Sequence, residues 1–372
     1  MKVNYCYLLI VGFLLFSCNE VKHSELLTIP VDSSQNVPLA LSAITEDLIA
    51  IELELTNESL INPDRISRIL LSENYVIVAK LNQVLVFGKD GKFVRSIGTR
   101  GQGVGGFNFI VSVAIDEKNK RLFIGSTNPQ KIISYDLSGT FLNEVVNPIQ
   151  YNPLPHDMHY IDGKLLLVAQ HIGFCRNKNK RFLHSMLYHL DDNFQVIDSH
   201  SIRKTYFAGG SMASIHPCTK NIVKGAEATF FYLSEIYDRW APTEITLRDT
   251  LYRLENNQLI PELRLKFRND GIDRGGNKFI ELHNIFRSSR YVFSTYRNNL
   301  TNNTYQFVFD TKTGIGNNMQ DGFIDDINNI EERIIIRPLT TNSEMFYFWH
   351  THMDPDCFEE PNPTLYIGRL RR

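Results

Sequence analysis

A short segment near the C-terminus concentrates the side chains that could bind a metal. The sequence WHTHMDPDC places imidazole, carboxylate and thiol groups close together at His350, His352, Asp354, Asp356 and Cys357. These groups are the ligands that transition metals prefer. The spacing matches no zinc-binding pattern, and Pro355 stiffens the segment. We therefore favour an exposed loop between two strands, with a metal site as the alternative.

Other candidate residues are scattered. His156 and His159 flank Asp157-Met158 and have a weaker claim to a metal. Arg239 and Trp240 are candidates for a binding surface, because Arg and Trp are common anchors of interfaces. A Trp that packs an insertion against the fold is the alternative. The chain has no G-x-S-x-G, H-E-x-x-H or P-loop motif, so we predict no catalytic residue and no cofactor.

A glycine-rich segment matches G-x-G-x-x-G at Gly101, Gly103 and Gly106. A dinucleotide site would need a helix directly after the last glycine, so that the phosphate could sit at the N-terminus of that helix. Here Phe109–Ile115 follows, and its sequence FIVSVAI indicates a strand. We interpret the glycines as a close crossing between neighbouring sheets.

The elements that must position these residues are repeated β-hairpins. In Val84–Ile97 two apolar runs flank Lys89-Asp90-Gly91, and Asp-Gly between such runs is a strong hairpin signal. Altered copies recur, each with an aromatic residue at a strand end, at Phe87, Tyr135, Tyr188, Tyr252, Phe309 and Tyr366. Their separations are 48, 53, 64, 57 and 57 residues. Repeats of this kind predict propeller blades with loop insertions.

The sixth copy is truncated, since Leu365–Leu370 supplies a strand after which the chain ends. Near the N-terminus, Asp47–Leu55 alternates apolar and polar residues and has no partner of its own. Pairing between Leu48–Leu55 and Leu365–Leu370 would complete the sixth blade and close the ring. We therefore predict an all-β, six-bladed β-propeller that is closed by its N-terminal and C-terminal strands.

The first residues indicate export and lipidation. Lys2 precedes the apolar run Tyr5–Phe16, which is long enough for a signal peptide and too short to span a bilayer. Leu15-Phe16-Ser17-Cys18 is similar to the lipobox of bacterial lipoproteins. The resemblance implies cleavage before Cys18 and a lipid anchor on that thiol. An ordinary secretory signal is the alternative.

These observations predict three segments. Residues 1–17 form a lipoprotein signal peptide, 18–43 the lipidated cysteine and a flexible tether, and 44–372 the propeller. The formal net charge of −2 gives no electrostatic case for nucleic acid or for an anionic lipid surface. Beyond Cys6 and Cys18, the odd number of cysteines (Cys175, Cys218 and Cys357) leaves no complete disulfide framework.

The repeated segments resemble six-bladed β-propeller lipoproteins of the Bacteroidetes, which are related in architecture to NHL and TolB-type propellers. The resemblance rests on LVFGKDGKFVRSIGTRGQGVGGF, RDTLYRLENNQLIPEL, FIDDINN and NPTLYIGRL, and covers about Ile44 to the C-terminus. The loop of that family resembles G-x-G-P-G-E-[YF]. Its proline and acid are absent from Gly103–Phe107, so no role of that acid is carried over.

The resemblance implies an outer-membrane location on the periplasmic or cell-surface side, and it brings no reaction with it. We expect a lipid-anchored propeller of the cell envelope that acts as a binding or scaffold protein. Its ligand would lie at the channel mouth, where Gly98–Phe107 and Lys204–Thr243 could converge. The alternatives are a glycan- or peptide-processing enzyme at that mouth and a structural subunit of an envelope complex. The partner would be an envelope protein, a glycan or a peptide.

Overall fold

The fold is built almost entirely from β-strands. The computed structural model describes residues 26–149, 154–175, 180–208, 213–215, 222–234, 236–238, 247–276, 278–352 and 361–372. Six sheets stand in a ring, which confirms the predicted all-β six-bladed propeller. Three short 3₁₀ helices accompany them at Leu41–Ala43, Pro63–Arg65 and Arg268–Gly271.

The first half of the chain forms two N-terminal strands and three blades. The N-terminal strands are β1 (Leu27–Val31) and β2 (Thr45–Glu52). Blade 1 contains β3 (Ile66–Leu71), β4 (Tyr75–Lys80), β5 (Val84–Gly88) and β6 (Phe93–Ile97). A small pair follows, β7 (Thr99–Arg100) with β8 (Gly106–Phe107). Blade 2 contains β9 (Phe109–Asp116), β10 (Arg121–Thr127), β11 (Lys131–Asp136) and β12 (Phe141–Val146). Blade 3 contains β13 (Leu154–Ile161), β14 (Lys164–Phe174), β15 (Lys180–Leu190) and β16 (Val196–Ala208).

The second half of the chain forms blades 4 to 6. A separate pair joins β17 (Ala213–Ile215) to β20 (Ile236–Asp238). Blade 4 contains β18 (Ile222–Lys224), β19 (Thr229–Phe231), β21 (Thr250–Glu255) and β22 (Gln258–Phe267). Blade 5 contains β23 (Ile280–Arg287), β24 (Tyr291–Asn298), β25 (Asn303–Asp310) and β26 (Ile315–Gln320). Blade 6 contains β27 (Arg337–Leu339), β28 (Asn342–His350) and β29 (Thr364–Leu370), with β2 as its outermost strand.

The Asp-Gly hairpin that began the repeat has the predicted form. Phe87 pairs with Phe93 across the two strands, and their rings meet edge to edge at 5.7 Å. Gly91 has φ +82°, and a Cβ there would lie 2.0 Å from the carbonyl oxygen of Glu52. Glycine is therefore required both by the turn and by the close approach of β2.

The N-terminal strand β2 pairs with the last strand of the chain. Its antiparallel register with β29 runs from Leu48 opposite Gly368 to Glu52 opposite Thr364. The predicted pairing of Leu48–Leu55 with Leu365–Leu370 is therefore present as far as Glu52. Ile51 is buried and packs among residues of blades 1 and 6, including Phe87.

The segment predicted to be a flexible tether is partly built into the fold. β1 pairs in parallel with β22, which gives blade 4 a fifth strand. The backbone N–H of Val37 donates to the carbonyl of Asn318 at the edge of blade 5 (2.8 Å). From Leu27 onward the predicted tether 18–43 is therefore wrong. Ile29 and Val31 alternate with polar or exposed positions and are buried, and this strand signal decides over Pro30.

The β2–β29 pairing leads to a stability prediction on a single strand. Ile51 is 3% exposed and Ile49 is 53% exposed. We expect Ile51→Ala to lower the free energy of unfolding by about 2–5 kcal/mol, because it opens a cavity between blades 6 and 1. The matched control Ile49→Ala should change it by less than about 0.5 kcal/mol. Urea unfolding followed by circular dichroism measures both, and equal losses would contradict the role given to Ile51.

Candidate functional site

A cavity of about 730 Å³ opens at one end of the central channel. It lies at the C-terminal ends of the innermost strands of blades 1 to 3, with Leu71, Asp116 and Ile161 in its wall. Lys224 of blade 4 and Thr340 of blade 6 complete the lining. The volume lies within the range of small-molecule sites in proteins. No residue of the predicted loops Gly98–Phe107 and Lys204–Thr243 lines it except Lys224.

Arg68 on β3 lies at the base of this cavity and is 2% exposed. One terminal nitrogen, Nη1, donates to the carbonyl oxygens of Val113 on β9 (2.9 Å) and Met158 on β13 (2.7 Å). The other, Nη2, donates to the carboxylate of Asp157. One side chain of blade 1 thus bonds to both neighbouring blades along the channel wall.

The carboxylate of Asp157 is held from several sides. Besides Arg68, its Oδ1 accepts hydrogen bonds from the hydroxyl of Ser112 (3.1 Å) and the backbone N–H of Met158 (3.0 Å). Its Oδ2 lies 3.1 Å from Nε2 of His159. His159 also lines the cavity and is 5% exposed. A buried charge needs such a set of partners, because leaving it unpaired is costly.

This cluster joins blades 1, 2 and 3 more readily than it performs catalysis. Both oxygens of Asp157 already accept hydrogen bonds from fixed groups, so the carboxylate is poorly placed to take a proton from a substrate. His159 contacts both Asp157 and the cavity, and it is the one member of the cluster that a ligand could reach with a titratable nitrogen. The arrangement can therefore hold a binding surface rigid.

A second ion-pair group forms the wall of the cavity at blade 2. The guanidinium of Arg121 donates to Asp116 (2.8 Å) and to Asp192 of blade 3 (2.8 Å). Burial alone would raise the pKa of Asp116, but hydrogen bonds from Asn119 and Arg121 hold that pKa below its ordinary value. Asp116 is therefore ionised at neutral pH, and it fixes the rim between blades 2 and 3.

The charges that line the cavity balance. Three cations (Arg68, Lys118 and Lys224) face three anions (Asp116, Glu117 and Asp162). Apolar side chains, among them Leu70, Ile115 and Met158, supply the rest of the wall. The lining therefore selects neither a strongly anionic nor a strongly cationic ligand. It suits a neutral molecule that has both polar groups and apolar faces.

The opposite side of the mouth is closed by blades 4 and 6. The backbone N–H of Lys224 donates to the carbonyl oxygen of Thr340 (2.9 Å). Lys224 and Thr341 also line a second cavity of about 310 Å³, which continues outward past Glu344 and Arg369. The two cavities share a wall, so a ligand of the first has room to extend in this direction.

The predicted metal residues are only partly within the described structure. The rings of His350 and His352 lie 4.6 Å apart, and Nε2 of His352 is 3.2 Å from the hydroxyl of Tyr366. Nδ1 of His350 lies 3.7 Å from Glu332. Asp354, Asp356 and Cys357 fall outside the described residues. Within the described part of the chain, no group of three or more His, Cys, Asp or Glu is arranged to hold a metal.

Several other predicted residues also fall outside the described ranges. These are Cys18, Arg239, Trp240 and Cys218. Cys175 at the end of β14 is a free thiol. In the part of the chain that the structure describes, no helix has the length and apolar character needed to cross a membrane.

The glycine-rich segment forms a close crossing between blades 1 and 2. Gly98 has φ +74°, and a Cβ there would lie 2.4 Å from the ring of Phe107. Burial raises the pKa of Tyr135 to about 12, so its hydroxyl stays protonated and donates to the carbonyl oxygen of Gly105. The buried ammonium of Lys131 donates to the carbonyl of Gly103 (2.8 Å). The segment leads into strand β9, as expected for a crossing and not for a dinucleotide site.

Sequence reasoning overlooked Arg68, although it did weigh His159. The available signal was a charged residue inside the strand sequence ISRILL, at a position where alternation predicts an inward side chain. Such a residue is either an error of register or a buried charge with a partner. Its partner lies in blade 3, 89 residues away, and the sequence alone does not indicate it.

Comparison with solved structures supports the fold. A protein of Bacteroides fragilis described as exported aligns with a TM-score of 0.60 at 15% identity, covering 93% of this chain and 99% of the other. A member of the DUF4221 family from Bacteroides vulgatus aligns with a TM-score of 0.47 at 9% identity, covering 88% of this chain and 97% of the other. No curated protein matches the sequence. A family model described as "Domain of unknown function (DUF4934)" matches residues 26–365.

The buried ion pair leads to a second stability prediction. We expect Arg68→Met to lower the free energy of unfolding by about 3–5 kcal/mol, because Asp157 is left charged and unpaired in the core. Adding Asp157→Asn to that variant should recover part of the loss. The matched control is Arg264→Met, which removes a 2.7 Å bond to Asp249 from an arginine that is 41% exposed. It should cost less than about 1 kcal/mol. Equal losses at Arg68 and Arg264 in urea unfolding would argue against the interblade role.

Proposed function

Since this chain belongs to the DUF4934 family, whose model matches residues 26–365, we propose that it is an exported binding or scaffold protein of the cell envelope. The ligand occupies the cavity at the C-terminal ends of the innermost strands. The observation that carries this proposal is the cavity itself: about 730 Å³, lined by five blades, with balanced charge and an apolar wall. A rigid ring of blades presents such a surface without needing to move.

The finer architecture belongs to the same proposal. The β2–β29 pairing closes the ring, and the buried contacts of Ile51 between blades 6 and 1 support this. The domain is an NHL- or TolB-like propeller of a Bacteroidetes lipoprotein family. It is anchored through Cys18 in the outer membrane, on the periplasmic or the cell-surface side. The lipobox-like Leu15-Phe16-Ser17-Cys18 supports the anchor.

One observation favours an enzyme as the second candidate. His159 lines the cavity and lies 3.1 Å from the carboxylate of Asp157, as a general base and its orienting group would. A glycan- or peptide-processing reaction would use the imidazole of His159 on a substrate in the cavity. The full set of bonds on Asp157 makes binding the better supported function.

Filling the mouth of the cavity tests the binding site. Thr341 lies in a tight turn and lines the cavity, so Thr341→Trp should obstruct it. We expect a compound from a panel of neutral oligosaccharides and short peptides to raise the melting temperature of the unmodified chain. At about one hundred times its Kd, a ligand stabilises the fold by about 2.7 kcal/mol.

The matched control is Thr301→Trp, in the exposed turn between β24 and β25. The shift should vanish in Thr341→Trp and persist in Thr301→Trp. A shift that survives in both variants would place the ligand elsewhere. Turnover of the bound compound that is abolished by His159→Gln would favour the enzyme.

The lipid anchor is tested by labelling. Cells grown with a tagged palmitate should incorporate the label into the unmodified chain and into the control Cys175→Ala. Cys18→Ala should lose it, because that thiol accepts the diacylglyceryl group in our proposal. Label retained in Cys18→Ala would refute the anchor at this residue.

A further inference from the structure

Blade 3 extends beyond the rest of the ring. Its innermost strand β13 begins with Leu154 opposite Gln170, but β14, β15 and β16 continue past that point. His171–Phe174 pairs with Arg181–His184, which pairs in turn with Lys204–Phe207. Four residues of strand correspond to about 14 Å. We call this three-stranded extension the blade 3 arm; it projects from the face opposite the cavity, beyond the N-terminal end of β13.

The arm has an unusual charge for this chain. His171–Leu190 and Ser199–Ala208 contain no Asp or Glu, whereas the whole chain has more acidic than basic residues. Burial, and then the neighbouring Lys204, hold the pKa of His184 below its ordinary value. The positive charge of the arm at neutral pH therefore comes from lysine and arginine.

Large apolar and aromatic side chains are exposed on both faces of the arm. Phe174 is 66% exposed, and on its face the guanidinium of Arg181 lies 4.9 Å from the ring centroid. On the other face Tyr206 is 57% exposed beside Phe182, and the ammonium of Lys204 lies 4.2 Å from the Phe182 ring. Each face therefore combines an aromatic ring with a cation.

Gly173 allows this arrangement. A Cβ at Gly173 would lie 2.4 Å from the ring of Phe182, so only glycine leaves room for the ring against the neighbouring strand. Phe182 in turn carries Lys204 and packs edge to edge with Tyr206. The aromatic–cationic face is a packed structure and not a chance exposure of single side chains.

We propose that the blade 3 arm inserts its exposed aromatic side chains into the interface of a membrane with anionic lipid headgroups. A platform for a polysaccharide would carry its rings on one face, whereas here both faces expose them beside cations. Aromatic rings favour the membrane–water interface, and lysine and arginine bind anionic headgroups while their stems lie along apolar surface. The surface attracts anions locally although the net charge of the chain is −2.

The position of the N-terminus is consistent with this second membrane contact. The chain enters the fold at β1 on the outer edge of blade 4, which is the neighbour of blade 3. The segment between Cys18 and Leu27 reaches up to about 30 Å when fully extended. An anchor at Cys18 and the arm can therefore meet one membrane. The inference goes beyond the proposed function, since the arm does not contribute to the cavity.

Vesicle flotation tests the arm without the anchor. A chain that starts at Asn19 keeps every residue of the described fold and lacks both Tyr5–Phe16 and Cys18. We expect it to float with vesicles in which about one lipid in three is phosphatidylglycerol, about fivefold more than with phosphatidylcholine alone. High salt should weaken the binding. Absence of flotation with either vesicle would overturn the proposal, whatever the outcome at the cavity.

Variants locate the contact. Phe174→Ser combined with Tyr206→Ser should reduce flotation about fivefold, and Lys204→Ala should reduce the preference for phosphatidylglycerol. The matched control is Ile315→Ser, since Ile315 is 58% exposed and lies on the opposite face in blade 5. Circular dichroism and the unfolding midpoint verify that each variant folds. Equal flotation of the arm variant and the control, or arm-dependent binding to alginate but not to vesicles, would overturn the proposal.

Discussion

A guanidinium buried in the centre of the ring must find acceptors for its donors, and this requirement ties three blades together. Arg68 meets it with two backbone carbonyls and one carboxylate, each from a strand that faces the channel. The innermost edges of blades 2 and 3 would otherwise expose unpaired carbonyl groups. The same bonds that satisfy the charge thus fix the spacing of the strands whose ends form the cavity.

The cavity inherits its shape from that spacing. Its lower wall is the Arg68–Asp157–His159 cluster, and its rim is held by Arg121 between Asp116 and Asp192. Both groups span neighbouring blades, so the relative position of the blades and the geometry of the site are one property. A surface of this kind loses little entropy when a ligand binds, because its side chains are already fixed by ion pairs and hydrogen bonds.

Local features of the fold could be predicted from the sequence, and contacts between distant residues could not. The Asp-Gly turn at Gly91 and the alternation in Thr45–Glu52 are signals within a few residues, and both indicate the observed strands. β1 was missed because Pro30 and the polar residues after it suggest a linker, whereas its burial depends on β22, more than two hundred residues later. The cavity was missed for the same reason. Arg68 and Asp157 lie in separate repeats, and only the curvature of the ring brings them together.

The N-terminal strands have a consequence for how the protein reaches its folded state. In sequence, 312 residues separate Glu52 from its partner Thr364, the start of the last strand. During synthesis and export β2 therefore emerges first and waits, with an open edge, until the end of the chain arrives. Long-range pairing of this kind slows folding and leaves an exposed strand that can associate with other chains. A carrier that shields this edge during transit would be as important to the protein as any ligand of the finished ring.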